Sequence, residues 1–339
     1  MTILQACRAC PVCGEWKIEP LHKQRFVLEE GHPLKDGYDV AHCCLCGFVY
    51  ADVAATQADY DAFYAQMSKY EDAATSTGSG ESLQDQERLR KTAEIVSAEL
   101  ESRKARILDI GCAGGGLLYA FRQLGYVDLV GIDPSPACAR QTRERTGEAY
   151  HGWVTSLPQE IGRFDCIILS HVLEHVLDVS AAIQALAPLL RPDGRVFLEV
   201  PDAVRYADHV YAPFQDFNTE HINHFSARSL DNAMQLRGFT ATSGGERLLH
   251  SSPVTFTPAV YRFYRSTGKP LPIQPRLAVR PDNHVLEHGT EGDEFQTLFQ
   301  VPALRLMKLV GQIGLLEEVN PRLHPRLVLV LGLNAGVVI

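Results

Sequence analysis

Between Ile107 and Pro201 the chain alternates short apolar runs with stretches whose apolar residues recur every three to four positions. The runs Ile107–Ile110, Leu129–Asp133, Ala149–Val154, Phe164–Ser170 and Arg195–Pro201 predict strands, and they are apolar almost throughout, as strands buried on both faces must be. The stretches between them predict helices beginning at Leu117, over 137–146 and over 179–190. Strict alternation of strand and helix specifies an α/β fold around a parallel sheet. Upstream, Leu89, Ala93, Val96 and Leu100 mark one face of a helix over 83–102. Tyr60, Phe63 and Tyr64 share a face of another helix over 55–69, where such a stripe reads first as core packing and second, through Tyr64 or Tyr70, as a lid. The stretch from Ala73 to Gly80 is small and polar and predicts a mobile linker. After Gly244 the pattern thins to a strand over 255–265 and a proline-rich connection over 270–281, followed by a helical pattern over 294–313 and a strand over 326–331.

The chemistry concentrates where the first of these strands ends. Asp109-Ile110-Gly111-Cys112-Ala113-Gly114-Gly115 joins strand to helix, and glycine there permits positive φ and lets a ligand lie against the backbone. About 20 residues on, the second strand ends on Asp133, where a doubly wound fold places the carboxylate that binds ribose hydroxyls. A pyrophosphate would be repelled by Asp109, whereas the ammonium of a methionine-like group would be attracted. The ligand this favours is S-adenosylmethionine. The two motifs resemble those of the class I S-adenosylmethionine-dependent methyltransferases, with Ala113 in place of the middle glycine. The resemblance implies a Rossmann-like domain that holds the cofactor with Asp109, Gly111, Ala113, Gly115 and Asp133. Trp153 and Val154 would flank the adenine, and Ser170 would close the site at the fourth strand.

Charge and cysteine usage narrow the rest. A net charge of −9 without a Lys/Arg stripe argues against nucleic acid. No run is long and apolar enough to span a bilayer, and the first residues lack the order of a signal peptide, so a cytoplasmic protein without a membrane partner is expected. Of nine cysteines, six fall in the first 46 residues. Cys10-Pro-Val-Cys13-Gly14 and Cys43-Cys44-Leu45-Cys46-Gly47 are two C-x-x-C-G knuckles, which a hairpin over 17–40 would bring together. Four thiolates make a closed, structural Zn2+ site; Cys7, His42 and Cys44 rank behind Cys10, Cys13, Cys43 and Cys46.

Two further patches carry polar chemistry. His171-Val-Leu-Glu-His175 spells the inverted zinc-peptidase string, but that string needs one continuous helix, and here a strand runs to Ser170. At a strand's carboxyl edge it reads instead as a site segment, with His175 facing the crevice and Glu174 as a supporting residue. Phe217-Asn-Thr-Glu220-His221-Ile-Asn-His224-Phe-Ser226 sets two imidazoles and a carboxylate in a loop that Ser226 ends by capping a helix to about Leu236. With the cysteine module in front, this loop resembles that of zinc-containing sugar C-methyltransferases. Glu220, His221, Phe225 and Ser226 match that family's pattern; Asn218, Thr219 and His224 depart from it. The resemblance implies His221 as a general base, aided by Glu220 and with His175 stabilising an enolate, and a small-molecule acceptor of the nucleotide-linked deoxyketosugar class. O-methylation of a hydroxylated metabolite is the alternative, and a non-catalytic binding protein on the same frame a third reading. Arg262 and Arg265 read as exposed strand charge before they read as a diphosphate site. The expected organisation is a zinc module and aromatic helix over 1–72, a linker over 73–82, the cofactor-binding domain over 83–245 and an incomplete α/β region over 246–339.

Overall fold

The computed structural model describes residues 3–66, 78–157, 161–208, 217–250 and 256–273. The expected helix over 294–313, the strand over 326–331, Tyr70 and residues 73–77 lie outside them.

A seven-stranded sheet forms the centre. Its strands are β5 (Ile107–Ile110), β6 (Leu129–Asp133), β7 (Ala149–His151), β8 (Phe164–Ser170), β9 (Leu190–Pro201), β11 (Phe239–His250) and β12 (Phe256–Ser266), in the order β11-β12-β9-β8-β5-β6-β7. The pairs among β5 to β9 are parallel, and β12 runs antiparallel to both β9 and β11. The sheet is thus a Rossmann-like α/β structure with one reversed strand, β12, inserted between β9 and the edge strand β11. The order turns back between β5 and β8, which opens a crevice beyond their carboxyl ends. The expected boundary at 245 falls inside β11, because β12 continues the hydrogen-bonded ladder on β9 from Arg265↔Arg195 to Ala259↔Pro201.

Strand period two sorts the core onto two faces. Leu108, Ile110, Val130, Ile132, Ile167 and Leu169 face α5 (Val179–Gln184) and α6 (Ala227–Gln235), while Ile107, Leu129, Ile168 and Phe197 face α2 (Leu83–Ala98) and α3 (Gly116–Gln123). Each such fully buried side chain contributes about 1.5–3 kcal/mol. Ser82 caps α2, Ser135 caps α4 (Pro136–Thr146) and Ser226 caps α6, each accepting from a backbone N–H three residues on. The helix expected over 179–190 stops at Gln184 and resumes as a 3-10 turn over Ala187–Leu189, since Pro188 has no N–H to continue it.

The amino-terminal sheet holds β1 (Leu4–Gln5), β2 (Lys17–Arg25), β3 (Gly37–Cys43) and β4 (Val49–Asp52), all antiparallel. Its fifth strand, β10 (Asn223–His224), comes from the loop that carries His221 and pairs with Val49 and Tyr50. The two units therefore share a sheet. Helix α1 (Gln57–Gln66) buries Tyr60, Phe63 and Tyr64. No helix among the described residues is long and apolar enough to cross a membrane.

Candidate active site

The glycine turn shows how this sequence makes its cradle. Gly111 has φ +74° and its N–H donates to Ile132 at 2.8 Å. A Cβ on Gly111 would stand 2.6 Å from Val172 Cγ2. Ala113, in place of a glycine, still takes the left-handed conformation at φ +46°. Asp133 Oδ2 accepts its N–H at 2.8 Å, and the Thr142 hydroxyl donates to its carbonyl at 2.8 Å. Side-chain clamps thus hold a conformation that a residue with a Cβ would otherwise avoid.

Residues 78–80, the described part of the stretch expected to be a mobile linker, are packed against this turn. Asp85 accepts from the N–H groups of Gly78 and Gly80 at 2.8 Å each, and Gly116 N–H donates to the Gly78 carbonyl. The glycine content that suggested freedom serves close approach, since a Cβ on Gly78 would meet that of Ala113 at 3.0 Å.

A cleft of about 640 Å³ opens over the carboxyl ends of β5, β6 and β8. Its walls include Asp109, Gly111, Ala113, Asp133, Trp153, Val154 and Ser170. Gly115 stands behind the wall as the start of α3, packed on Thr142. Asp109 is 3 % exposed. Burial, and then the neighbouring charge of Asp133, push its pKa up from 3.8 to about 8, against the opposing charge of Arg88. Tyr64 meets Trp153 edge to face at 5.7 Å, and the Trp153 indole donates to Asp61 at 2.9 Å. Helix α1 thereby closes over the β7 end of the cleft.

The other end is built on His171 to His175 and the 217–226 loop. Leu173–His175 is a single 3-10 turn after a strand, so the continuous helix of the peptidase reading is absent. His171 has φ +58° and places its ring between two carboxylates, Nδ1 at 3.2 Å from Glu174 and Nε2 at 3.5 Å from Glu199. Burial alone would lower the His171 pKa, but hydrogen bonds and charge from Glu174 and Glu199 outweigh it and raise it to about 9. Burial alone would raise that of Glu199, yet His171 and Arg247 hold it near 2. Arg247 on β11 completes the row, 2.8 Å from Glu199 Oε1.

His175 and His221 meet ring to ring at 4.7 Å, nearly perpendicular, and both line the cleft. Glu174 lies 4.0 Å from His175 Nε2 and Glu220 4.0 Å from Nδ1. Glu174, expected only as a support, is the carboxylate on the cleft wall, and Glu220 is set behind the ring. Asn218 Oδ1 accepts from the N–H groups of Glu220 and His221 at 2.8 Å each, so it shapes the loop that carries His221. His224 is buried between Phe217 and Tyr206, away from the cleft. Asn223 Nδ2 donates to the carbonyls of Leu173 and Val176, and Arg8 donates to Ile222 and Asn223 from one side and to Ala51 from the other.

Arg88 and Glu199 escaped the sequence reading, and His171 was named there only as the start of its segment. Glu199 had left a signal there, as an acidic residue inside an otherwise apolar strand. In the amino-terminal sheet the Sγ atoms of Cys10 and Cys46 are 3.6 Å apart and those of Cys13 and Cys43 3.4 Å, with all four within 4.8 Å of one another.

Residues 82–243 match the family model described as a methyltransferase domain. Residues 82–243 are thus similar to a methyltransferase domain, and the sheet has the Rossmann-like order of that fold. A ubiquinone biosynthesis O-methyltransferase of Xanthomonas axonopodis pv. citri (strain 306) is 38% identical over 112 residues, 31% of this chain and 46% of that protein. The chain thus spans about half the length of the curated relatives it matches. Among solved structures, the Burkholderia thailandensis 1,6-didemethyltoxoflavin-N1-methyltransferase matches with TM-score 0.47 at 20% identity, covering 65% of this chain and 95% of that one. Magnesium protoporphyrin IX methyltransferase of Synechocystis PCC 6803 matches with TM-score 0.40 at 18% identity, covering 54% and 81%.

Proposed function

We propose that this chain is an S-adenosylmethionine-dependent methyltransferase of a small-molecule acceptor that is activated as a carbon acid, with a structural zinc ion in its amino-terminal sheet. The observation that carries the reading is the pair of imidazoles, His175 and His221, on the same cleft wall system as Asp109 and Asp133. The cofactor fits the residues present. The turn at Gly111 leaves room where a Cβ would collide, and the buried carboxyl of Asp109, beside Asp133, is a site for an ammonium group. The donor supplies, when bound, an electrophilic methyl group on a sulfonium. Asp133 and the turn it braces would hold the ribose end, and Trp153 and Val154 would flank the base. His221 would take a proton from the carbon beside an acceptor carbonyl, as an imidazole can near neutrality. His175 would donate to the oxygen on which the enolate charge collects; Glu174 and Glu220 each lie 4.0 Å from one of its ring nitrogens. An acceptor of the nucleotide-linked deoxyketosugar class suits this chemistry.

Zinc fits the four cysteines. Thiolates bound at about 2.3 Å in a tetrahedron lie about 3.8 Å apart, close to the 3.4 and 3.6 Å seen. Direct disulfide bonding would need about 2.05 Å.

The second reading, O-methylation, is favoured by the curated relatives, which are ubiquinone biosynthesis O-methyltransferases. Incubating a ketosugar nucleotide with enzyme in deuterated water without donor separates the two. Exchange beside the carbonyl, lost in His221→Ala, is expected for carbon transfer. Methyl transfer without any such exchange would overturn it in favour of oxygen.

A further inference from the structure

The acceptor end of the cleft holds the donor set of a transition-metal site, apart from the four-cysteine cluster. One carboxylate oxygen of Glu174 and one ring nitrogen each of His175 and His221 lie within 4.8 Å of one another. Glu174 and His175 come from one 3-10 turn, and the His221 loop is fastened to it where Ile222 N–H donates to the Glu174 carbonyl at 2.8 Å. The spacing is therefore set by backbone and not by side-chain reach alone.

Glu174 supplies the second argument. It is 2 % exposed; Oε1 pairs with His171, while Oε2 is buried with no hydrogen-bond partner among the described residues. A buried carboxylate oxygen without a partner is costly, and a cation bound by the same carboxylate would offset that cost. His171 is no ligand here. It faces Glu174 and Glu199, and so fixes the orientation of the carboxylate from behind, as partners of metal-binding groups do.

Two imidazoles with one carboxylate suit divalent first-row ions; calcium or magnesium would need more oxygens. Around zinc, ligand atoms at about 2.0–2.1 Å lie about 3.3 Å apart. The present spacing closes to that by rotation of the two histidines, both of which border open cleft. Three protein ligands leave a fourth position facing that space, as in hydrolytic zinc sites.

We propose that Glu174, His175 and His221 form a reversible second site for a divalent ion of the zinc class, and that an ion there silences methyl transfer by taking the nitrogen His221 needs as base. The binding half stands on the geometry; the silencing half rests on the function proposed above. Four thiolates hold zinc more firmly than this mixed set, so the second site fills only after the first.

The test uses the full chain with its cysteine site loaded, titrated with Co2+ alone. Expected is one further equivalent with visible ligand-field bands and no thiolate charge-transfer band. It should weaken at least about tenfold in Glu174→Gln, a loss usual even for the partners behind a ligand, and disappear in the His175→Ala/His221→Ala double variant. Binding of S-adenosylhomocysteine, read by calorimetry, reports that these variants remain folded. Retention of the extra equivalent in the folded double variant, or its absence from the native chain, overturns the site. If the ion binds but donor-free deuterium exchange continues unchanged, the silencing falls while the site stands. If exchange is absent without any metal, the functional reading fails separately.

Discussion

Replacing Asp109 by Asn should make the protein more stable and less able to bind its donor. In the folded chain this carboxyl holds its proton to about pH 8, because burial and the Asp133 charge both disfavour ionisation. The unfolded chain releases the same proton near pH 3.8. The unfolded state thus binds fewer protons between those values, and stability falls as pH rises through that window and levels off above about 8. The rise from 3.8 to about 8 corresponds to at most about 5–6 kcal/mol at alkaline pH. Arg88 lies close enough to oppose it, and an amide at this buried position keeps a desolvation cost of its own, so a gain of about 1–3 kcal/mol is expected for Asp109→Asn at pH 8. Little gain is expected near pH 4, where the native residue is neutral. Urea unfolding without ligand, run at several pH values, measures this. Calorimetry with S-adenosylhomocysteine measures the counterpart: affinity of the native protein should increase as pH rises toward 8, since an ammonium must meet a carboxylate, and Asp109→Asn should be weaker and flat. A variant less stable than the native chain at pH 8, or one that binds with the same pH profile, would refute the reasoning.

Two other substitutions probe the frame around the site. Gly111→Ala combines a left-handed φ, about 1–2 kcal/mol for a residue with a Cβ, with a 2.6 Å approach to Val172 Cγ2. It should lower the melting temperature and weaken S-adenosylhomocysteine binding together; an unchanged affinity would mean the turn does not shape the ligand site. Arg8→Ala removes donors from the carbonyls of Ala51, Leu177 and Ile222 and from the Asn223 side chain, a loss of about 3 kcal/mol or more. Turnover should fall with donor affinity preserved, and Arg8→Lys should recover part of it. Equal loss of turnover and donor affinity would assign Arg8 to general stability.

The sequence disclosed those elements whose burial is periodic or whose turns need special residues. β5, β6 and β8 are apolar almost throughout, and the glycines after Asp109 and the paired C-x-x-C-G knuckles have few other uses. Less legible was whatever depends on partners distant in the chain. β11 is mostly exposed or half-exposed and contains Gly244-Gly245, so nothing in it marks a strand until β12 lies alongside. β10 is two residues long and has no period to detect. The His171–Glu174–Glu199–Arg247 row joins four stretches of chain, and no one of them shows that its charge is balanced. The structure brings His175 and His221 to the cleft because their loops lie at the carboxyl edge of the sheet; which carboxylate stands beside them is decided by packing.

The shared strand has a consequence for synthesis. The amino-terminal unit leaves the ribosome first, yet its edge at β4 stays open until Asn223 and His224 have been made, and the Arg8 bond to Ile222 spans 214 residues. Its four clustered cysteines are therefore all made well before the loop bearing His221 exists, while an unpaired strand edge waits for a late segment and is meanwhile open to neighbouring chains. Completing that early sheet and assembling the reaction centre are one and the same event.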